Sequence, residues 1–205
     1  MPILAIRNEI EVELTHKCNW NCKYCAIHVH SLKGISTKEM LSKVQSIKNN
    51  SDVTLSGGEP GCLSRSEVEK VINILEKKNC NLYLNTNGLF LKKFPDLINI
   101  FKEIIYHCSE DLSCEDEIIK IPNANNIRYM IIVHDENLYK LDSFLNEYKD
   151  IKFDIVEATY NKANDGPELS KKNKYSLLVK YKNRMTKESI KRMISGKDFD
   201  IMKFL

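Results

Sequence analysis

Three thiols fall within eight residues in Thr15-His16-Lys17-Cys18-Asn19-Trp20-Asn21-Cys22-Lys23-Tyr24-Cys25, at C-x3-C-x2-C spacing. A loop that short can wrap one metal centre. Thiolates suit both zinc and iron–sulfur clusters, and the two differ in what else they need. A closed structural zinc site takes a fourth ligand, which His16, His28 or His30 could supply. A four-iron cluster on three thiolates leaves one iron open, which is a reason to omit a fourth cysteine where a ligand must bind metal. Cys62, Cys80, Cys108 and Cys114 are scattered and read first as small hydrophobes or ordinary thiols. Cys108 and Cys114 are the catalytic candidates among them, since a thiol at or just beyond a strand end can face a substrate and relay hydrogen.

Other polar groups follow short apolar runs. Ser56-Gly57-Gly58-Glu59-Pro60 pairs two glycines, which let backbone approach a ligand closely, with a carboxylate that could receive an ammonium group. Taken alone it is also an ordinary turn. Asn85-Thr86-Asn87-Gly88, His107-Cys108-Ser109-Glu110-Asp111 and His134-Asp135-Glu136 repeat the pattern, each placing hydrogen-bonding side chains where a strand should end.

The elements that must position these groups alternate. Runs short enough for strands lie at 10–14, 53–55, 82–84, 104–106, 129–133 and 153–156. Between them, Ser36-Thr37-Lys38-Glu39 and Ser64-Arg65-Ser66-Glu67 are capping boxes ahead of apolar residues spaced along one helix face. Pro95 opens a short helix reaching Phe101, and Leu138, Leu141, Phe144 and Leu145 mark another. Strands alternating with helices imply right-handed crossovers and a parallel sheet, whose ligands gather at the strands' C-terminal ends. A closed eight-stranded barrel needs about 250 residues, so this α/β chain suits an open partial barrel or a doubly wound sheet. The expected organisation is a core over 1–160 and a tail packed on it over 161–205.

Cys18, Cys22 and Cys25 with Tyr24 before the last cysteine, then Gly57-Gly58-Glu59-Pro60, then Thr86-Asn87-Gly88, resemble the radical S-adenosylmethionine (SAM) enzymes, with the motifs in family order. The resemblance covers the first half well and the second half only through its βα pattern. It implies a partial (β/α)6 TIM-like barrel whose three thiolates ligate a [4Fe-4S] cluster, with SAM chelating the fourth iron. It also implies that Gly57, Gly58 and Glu59 hold the methionyl amino group, that the backbone around Tyr24 lies beside the adenine, and that Thr86, Asn87 and Ser109 contact the methionyl carboxylate and ribose. Reductive cleavage of SAM would give methionine and a 5′-deoxyadenosyl radical that abstracts hydrogen from a substrate. An external flavodoxin- or ferredoxin-like protein would supply the electron. The substrate, a nucleoside-like small molecule or a peptide, is not legible, and an activase that installs a radical on a partner protein is the alternative. A zinc or iron–sulfur binding module without catalysis, or a pure electron carrier, is the remaining class. The carrier is disfavoured by the missing fourth cysteine. No cysteine follows Cys114, so one cluster is expected.

The net charge of +3 comes from 31 basic and 28 acidic residues, too balanced for wholesale nucleic-acid or membrane binding. Residues 161–205 nonetheless hold 12 Lys/Arg against 5 Asp/Glu. This basic tail is expected to be a solvated helix face with Ile190, Met193 and Ile194 inward, or else a surface contacting an acidic macromolecule. Arg7 and Glu9 interrupt the start before a signal peptide could form, and no run approaches membrane-spanning length. Seven cysteines, an odd count, argue against a disulfide framework, and a cytoplasmic location without membrane contact is expected.

Overall fold

The six apolar runs become six strands in a computed structural model of the chain, which describes residues 10–25, 32–112, 118–119, 125–158 and 169–195. They are β1 (Ile10–Thr15), β2 (Asp52–Gly57), β3 (Asn81–Thr86), β4 (Glu103–His107), β5 (Ile127–Val133) and β6 (Asp154–Glu157). All belong to one sheet in the order β1-β2-β3-β4-β5-β6, with β1 and β6 at its two ends, so the sheet is open. The paired registers are parallel, as crossover helices require. The chain divides into two compact units, Met1–Asn21 with Cys25–Tyr106 and Ile119–Arg128, and Cys22–Tyr24 with His107–Ile118 and Tyr129–Leu205.

In the first unit the register puts Val12, Val53, Leu55, Leu82, Leu84 and Ile104 on one sheet face, all buried. The apolar stripes of α1 (Thr37–Ser46) and α2 (Arg65–Lys77) are buried as well, through Met40 and Val44 and through Val68, Val71, Ile72 and Leu75. Each fully buried aliphatic side chain contributes about 1.5–3 kcal/mol, which makes this face the main source of the unit's stability. The other sheet face carries Glu11, Glu13, Thr54, Ser56, Tyr83 and Asn85, and it is polar. A five-residue helix, α3 (Leu89–Lys93), and 3-10 turns at Pro60–Cys62 and Pro95–Ile100 complete the unit.

Both capping boxes form, and the second also ties α2 to α1. Glu67 accepts from Thr37 Oγ1 at 2.6 Å, Ser64 Oγ at 2.7 Å and Ser64 N at 2.9 Å. The Thr37 hydroxyl first, and then Ser64, hold its carboxyl down to about 2, against an ordinary value of 4.5. A folded value below the unfolded one contributes stability above about pH 4.5 that is lost as pH falls toward 2. Glu67→Gln is therefore expected to cost about 1 kcal/mol at pH 7 and to flatten the acid limb of stability, as read by urea unfolding across a pH series.

In the second unit β5 and β6 pair alongside α4 (Leu141–Glu147), α5 (Lys171–Tyr181) and α6 (Lys187–Ser195). Phe144 and Phe153 meet at 5.6 Å between ring centroids. Buried Asp154 accepts from Ser189 Oγ at 2.6 Å and Thr186 Oγ1 at 3.2 Å, which anchors the start of α6 to β6. Residues 159–168, around the expected boundary at 160, lie outside the described residues. Of the inward residues expected in the basic segment, Met193 is buried and Ile190 half-buried, while the side chain of Ile194 lies outside the described residues. Several of the segment's cations are spent on the chain itself: Lys174 on Glu157, Lys180 on Asp142, and Arg184 on the carbonyls of Leu145 and Tyr148. Among the described residues no helix is long and apolar enough to cross a membrane.

Candidate cofactor site

Within the first unit, the loop leaving β1 carries Cys18 to a position beside the turn that ends β3. Cys18 Sγ accepts from Trp20 N at 3.4 Å and from Asn87 Nδ2 at 3.8 Å. Burial pushes its thiol up, the Trp20 N–H pulls the other way, and Glu59, Cys62 and Cys25 add repulsion. The protonated thiol is thus the resting form, and a metal binding there must displace a proton. Cys18, Cys22 and Cys25 are all half-buried and free of disulfides. His16, one candidate for a fourth zinc ligand, spends its ring nitrogens on the Lys33 carbonyl and Glu13, and His28 and His30 lie outside the described residues.

The Gly-Gly-Glu segment is built differently from the expectation. Gly57 has φ +114°, and a Cβ there would lie 2.5 Å from the Thr15 carbonyl oxygen, so its glycine serves the close approach of β2 to β1. The amides of Gly58 and Glu59 then donate to Thr15 O at 2.6 Å and Lys17 O at 2.8 Å. With the N–H groups of Gly58 and Glu59 committed to Thr15 and Lys17, what this segment can offer a ligand is carbonyl oxygen, an acceptor suited to an ammonium group. The carboxylate of Glu59 is already spent. Its Oε1 accepts from Gly61 N at 2.8 Å, Thr86 Oγ1 at 2.8 Å and Phe90 N at 3.1 Å, and its Oε2 from Asn87 N at 2.7 Å. Burial pushes the carboxyl above its ordinary value, and those four donors pull against the shift. Glu59 thus staples the loops after β2 and β3 together, a use of the carboxylate that the expected reception of an ammonium group did not include. Gly61 belongs to the same joint, because a Cβ there would sit 2.4 Å from Phe90 N.

Two buried polar atoms at the strand ends, Ser56 Oγ and Asn85 Oδ1, have no hydrogen-bond partner among the described residues. They lie on the polar face of β2 and β3, where an unmet acceptor or hydroxyl costs about 1–3 kcal/mol unless a ligand or water meets it. Thr86 is buried and donates to Glu59, and Asn87 turns its side chain toward Cys18 and Asn19.

In the second unit, the Tyr24 hydroxyl donates to the Ser109 carbonyl at 3.3 Å, and the Tyr24 ring lies 6.0 Å from that of His134. Desolvation pushes the Tyr24 phenol well up. Ser109 is buried, and His134 is buried with its Nδ1 lacking a partner among the described residues. Desolvation takes the His107 imidazole down to about 4, so it is neutral near pH 7. Cys108 is buried, its amide bonded to Met130 O, and burial drives its thiol far up, as for a small hydrophobe. Cys114 lies outside the described residues.

The model of the radical SAM superfamily matches residues 12–109, a span that takes in the three-cysteine loop, the Gly-Gly-Glu segment and the Thr-Asn-Gly turn. Over those residues the chain is similar to the radical SAM superfamily. It is 27% identical over 140 residues to a Methanocaldococcus jannaschii protein assigned by name to the glycyl-radical enzyme activating enzymes. That match covers 67% of this chain and 49% of the relative, so the chain spans about half the length of the curated relative it matches. Its fold resembles that of native anSMEcpe with bound AdoMet and the Cp18Cys peptide, at TM-score 0.57 and 19% identity over 83% of this chain and 57% of that one. The same protein with AdoMet alone gives TM-score 0.57 at 21% identity, over the same shares. The radical SAM superfamily is one whose cofactors are a [4Fe-4S] cluster and SAM.

The residues present fit those cofactors on the chemistry of their donors. Three half-buried cysteines on one loop, none of them in a disulfide, match a cluster with an open iron, and the carbonyls and orphaned atoms at the ends of β2 and β3 match a polar ligand. Among the described residues no three His, Cys, Asp or Glu side chains converge on one metal position. Sequence reasoning placed Ser56, Asn85 and His134 at strand ends but gave none of them a role. Their signal was present for the first two, since polar residues alternate with the buried Leu55 and Leu84 at positions where a strand's other face would otherwise be apolar.

Proposed function

We propose that this protein is an enzyme that cleaves SAM reductively, with Cys18, Cys22 and Cys25 holding the cluster. When bound, a cluster with an open iron supplies an electron to the sulfonium of SAM, which releases methionine and a 5′-deoxyadenosyl radical that takes hydrogen from a substrate. The observation that carries this reading is the juxtaposition, in one unit, of the Cys18 thiol, the Asn87 turn and a Gly57-Gly58-Glu59 segment whose Gly58 and Glu59 N–H groups are spent on Thr15 and Lys17. The chain's own residues bind and orient. The carbonyls of Gly57 and Gly58 accept the methionyl ammonium, Ser56 and Asn85 meet polar atoms of the ligand, and Thr86 and Glu59 keep that rim rigid. Tyr24 and Ser109 are assigned to the adenine and ribose, and neutral His134 beside Tyr24 joins them as a hydrogen-bonding candidate. An external flavodoxin- or ferredoxin-like donor supplies the electron.

The substrate class has one specific support. The M. jannaschii relative, matched over 140 residues, favours an activase that places a radical on a partner protein. Anaerobic reconstitution with iron and sulfide, then SAM and a strong reductant, is expected to yield 5′-deoxyadenosine and methionine in equal amounts, measured by liquid chromatography. A fully reduced cluster that yields neither overturns the proposal. Deuterium transferred from a labelled partner protein into deoxyadenosine supports the activase. Transfer from a small molecule in its place refutes the activase and leaves SAM cleavage standing.

A further inference from the structure

We infer that Asn87 is a positioning residue for the cluster: its side-chain amide, aimed at the sulfur of Cys18, sets how readily a cluster bound there takes up an electron. This rests on the reading that Cys18 is a cluster ligand. Asn87 is held at both ends. Its backbone N–H donates to Glu59 Oε2 at 2.7 Å, and its Oδ1 accepts from Leu89 N at 3.2 Å. With Oδ1 consumed there, the orientation of the amide is decided, and Nδ2 must turn the other way. It donates to Asn19 Oδ1 at 2.9 Å and to Cys18 Sγ at 3.8 Å. The second contact has the length expected of a weak N–H to sulfur bond, and it arises from a residue 69 positions away in the chain.

Reduction adds negative charge that the ligating sulfurs share, so a donor at sulfur favours the reduced state and raises the reduction potential. The Glu59 staple supplies the rigidity: it prevents Asn87 from relaxing away from Cys18, so the donor is in place before any cluster is. An N–H bond of ordinary net strength corresponds to about a fivefold change in the oxidised-to-reduced ratio at fixed ambient potential, or about 40 mV for a one-electron couple.

The test is a redox titration, followed by electron paramagnetic resonance, of the reconstituted full-length protein and two variants. Asn87→Ser keeps a hydroxyl for the local turn but is too short to reach Cys18. Asn87→Asp keeps the Oδ1 that receives the Leu89 N–H while replacing the donor by a charged acceptor. Both are expected to hold a full complement of iron and sulfide. The midpoint should move to more negative potential by about 40 mV in Asn87→Ser and further in Asn87→Asp. Midpoints equal to that of the unaltered protein overturn the inference. So does loss of the cluster from Asn87→Ser, because Asn87 would then hold the loop rather than tune it. An unaltered protein that takes up no iron fails at an earlier step, and it removes the proposed function along with this inference.

Discussion

Cys18→Ala, Cys22→Ala and Cys25→Ala are each expected to reduce iron bound per chain after anaerobic reconstitution to near zero, and Cys80→Ala is expected to retain it in full. Two thiolates cannot hold a four-iron cluster against solvent. The effect is separable from folding. These thiols are half-buried on a loop, so their truncation creates no core cavity, and the unfolding midpoint of the metal-free variants should match that of the parent. Iron and sulfide analysis with visible absorption makes the measurement. A Cys22→Ala variant with a full cluster would remove Cys22 from the ligand set, and uptake of one zinc in place of iron and sulfide would restore the structural zinc reading.

Glu59→Ala is expected to destabilise the metal-free protein by about 4 kcal/mol or more, with Glu59→Gln costing about 2–3 kcal/mol. The alanine leaves four donors, at Gly61, Thr86, Asn87 and Phe90, without their common acceptor in a site where Glu59 is only 1% exposed. Glutamine returns one oxygen but sets an NH2 group against an N–H donor. Denaturant unfolding reads both, and Thr86→Val combined with Glu59→Gln should show a coupling of about 1 kcal/mol. A loss below about 1 kcal/mol in Glu59→Ala, together with weakened SAM binding, would return Glu59 to the role of ammonium receptor.

That second expectation marks where sequence reading stopped. The six strands were legible because period-2 runs with β-branched residues are a local signal, and so were the two capping boxes, whose partners sit three residues apart. The open parallel sheet followed from alternation and length. Helix α3 was not legible, since five residues between Gly88 and Phe94 are too few for a helical period to show. In the basic segment, composition revealed the charge but not that Lys174, Lys180 and Arg184 bond to residues 17 to 39 positions away.

By itself the sequence determined the chemistry on offer: three thiols on one loop, a glycine pair after the second strand, and polar groups at successive strand ends, which together resemble the radical SAM superfamily. Only the tertiary structure decided how those groups divide the work. Glu59 finds its donors at positions 61, 86, 87 and 90, and Asn87 finds Cys18 across 69 residues. Hydrogen bonds of that kind depend on the register of parallel strands, which brings the ends of β1, β2 and β3 side by side. Register is settled when the apolar face of the sheet is buried, a cooperative event with no local signature.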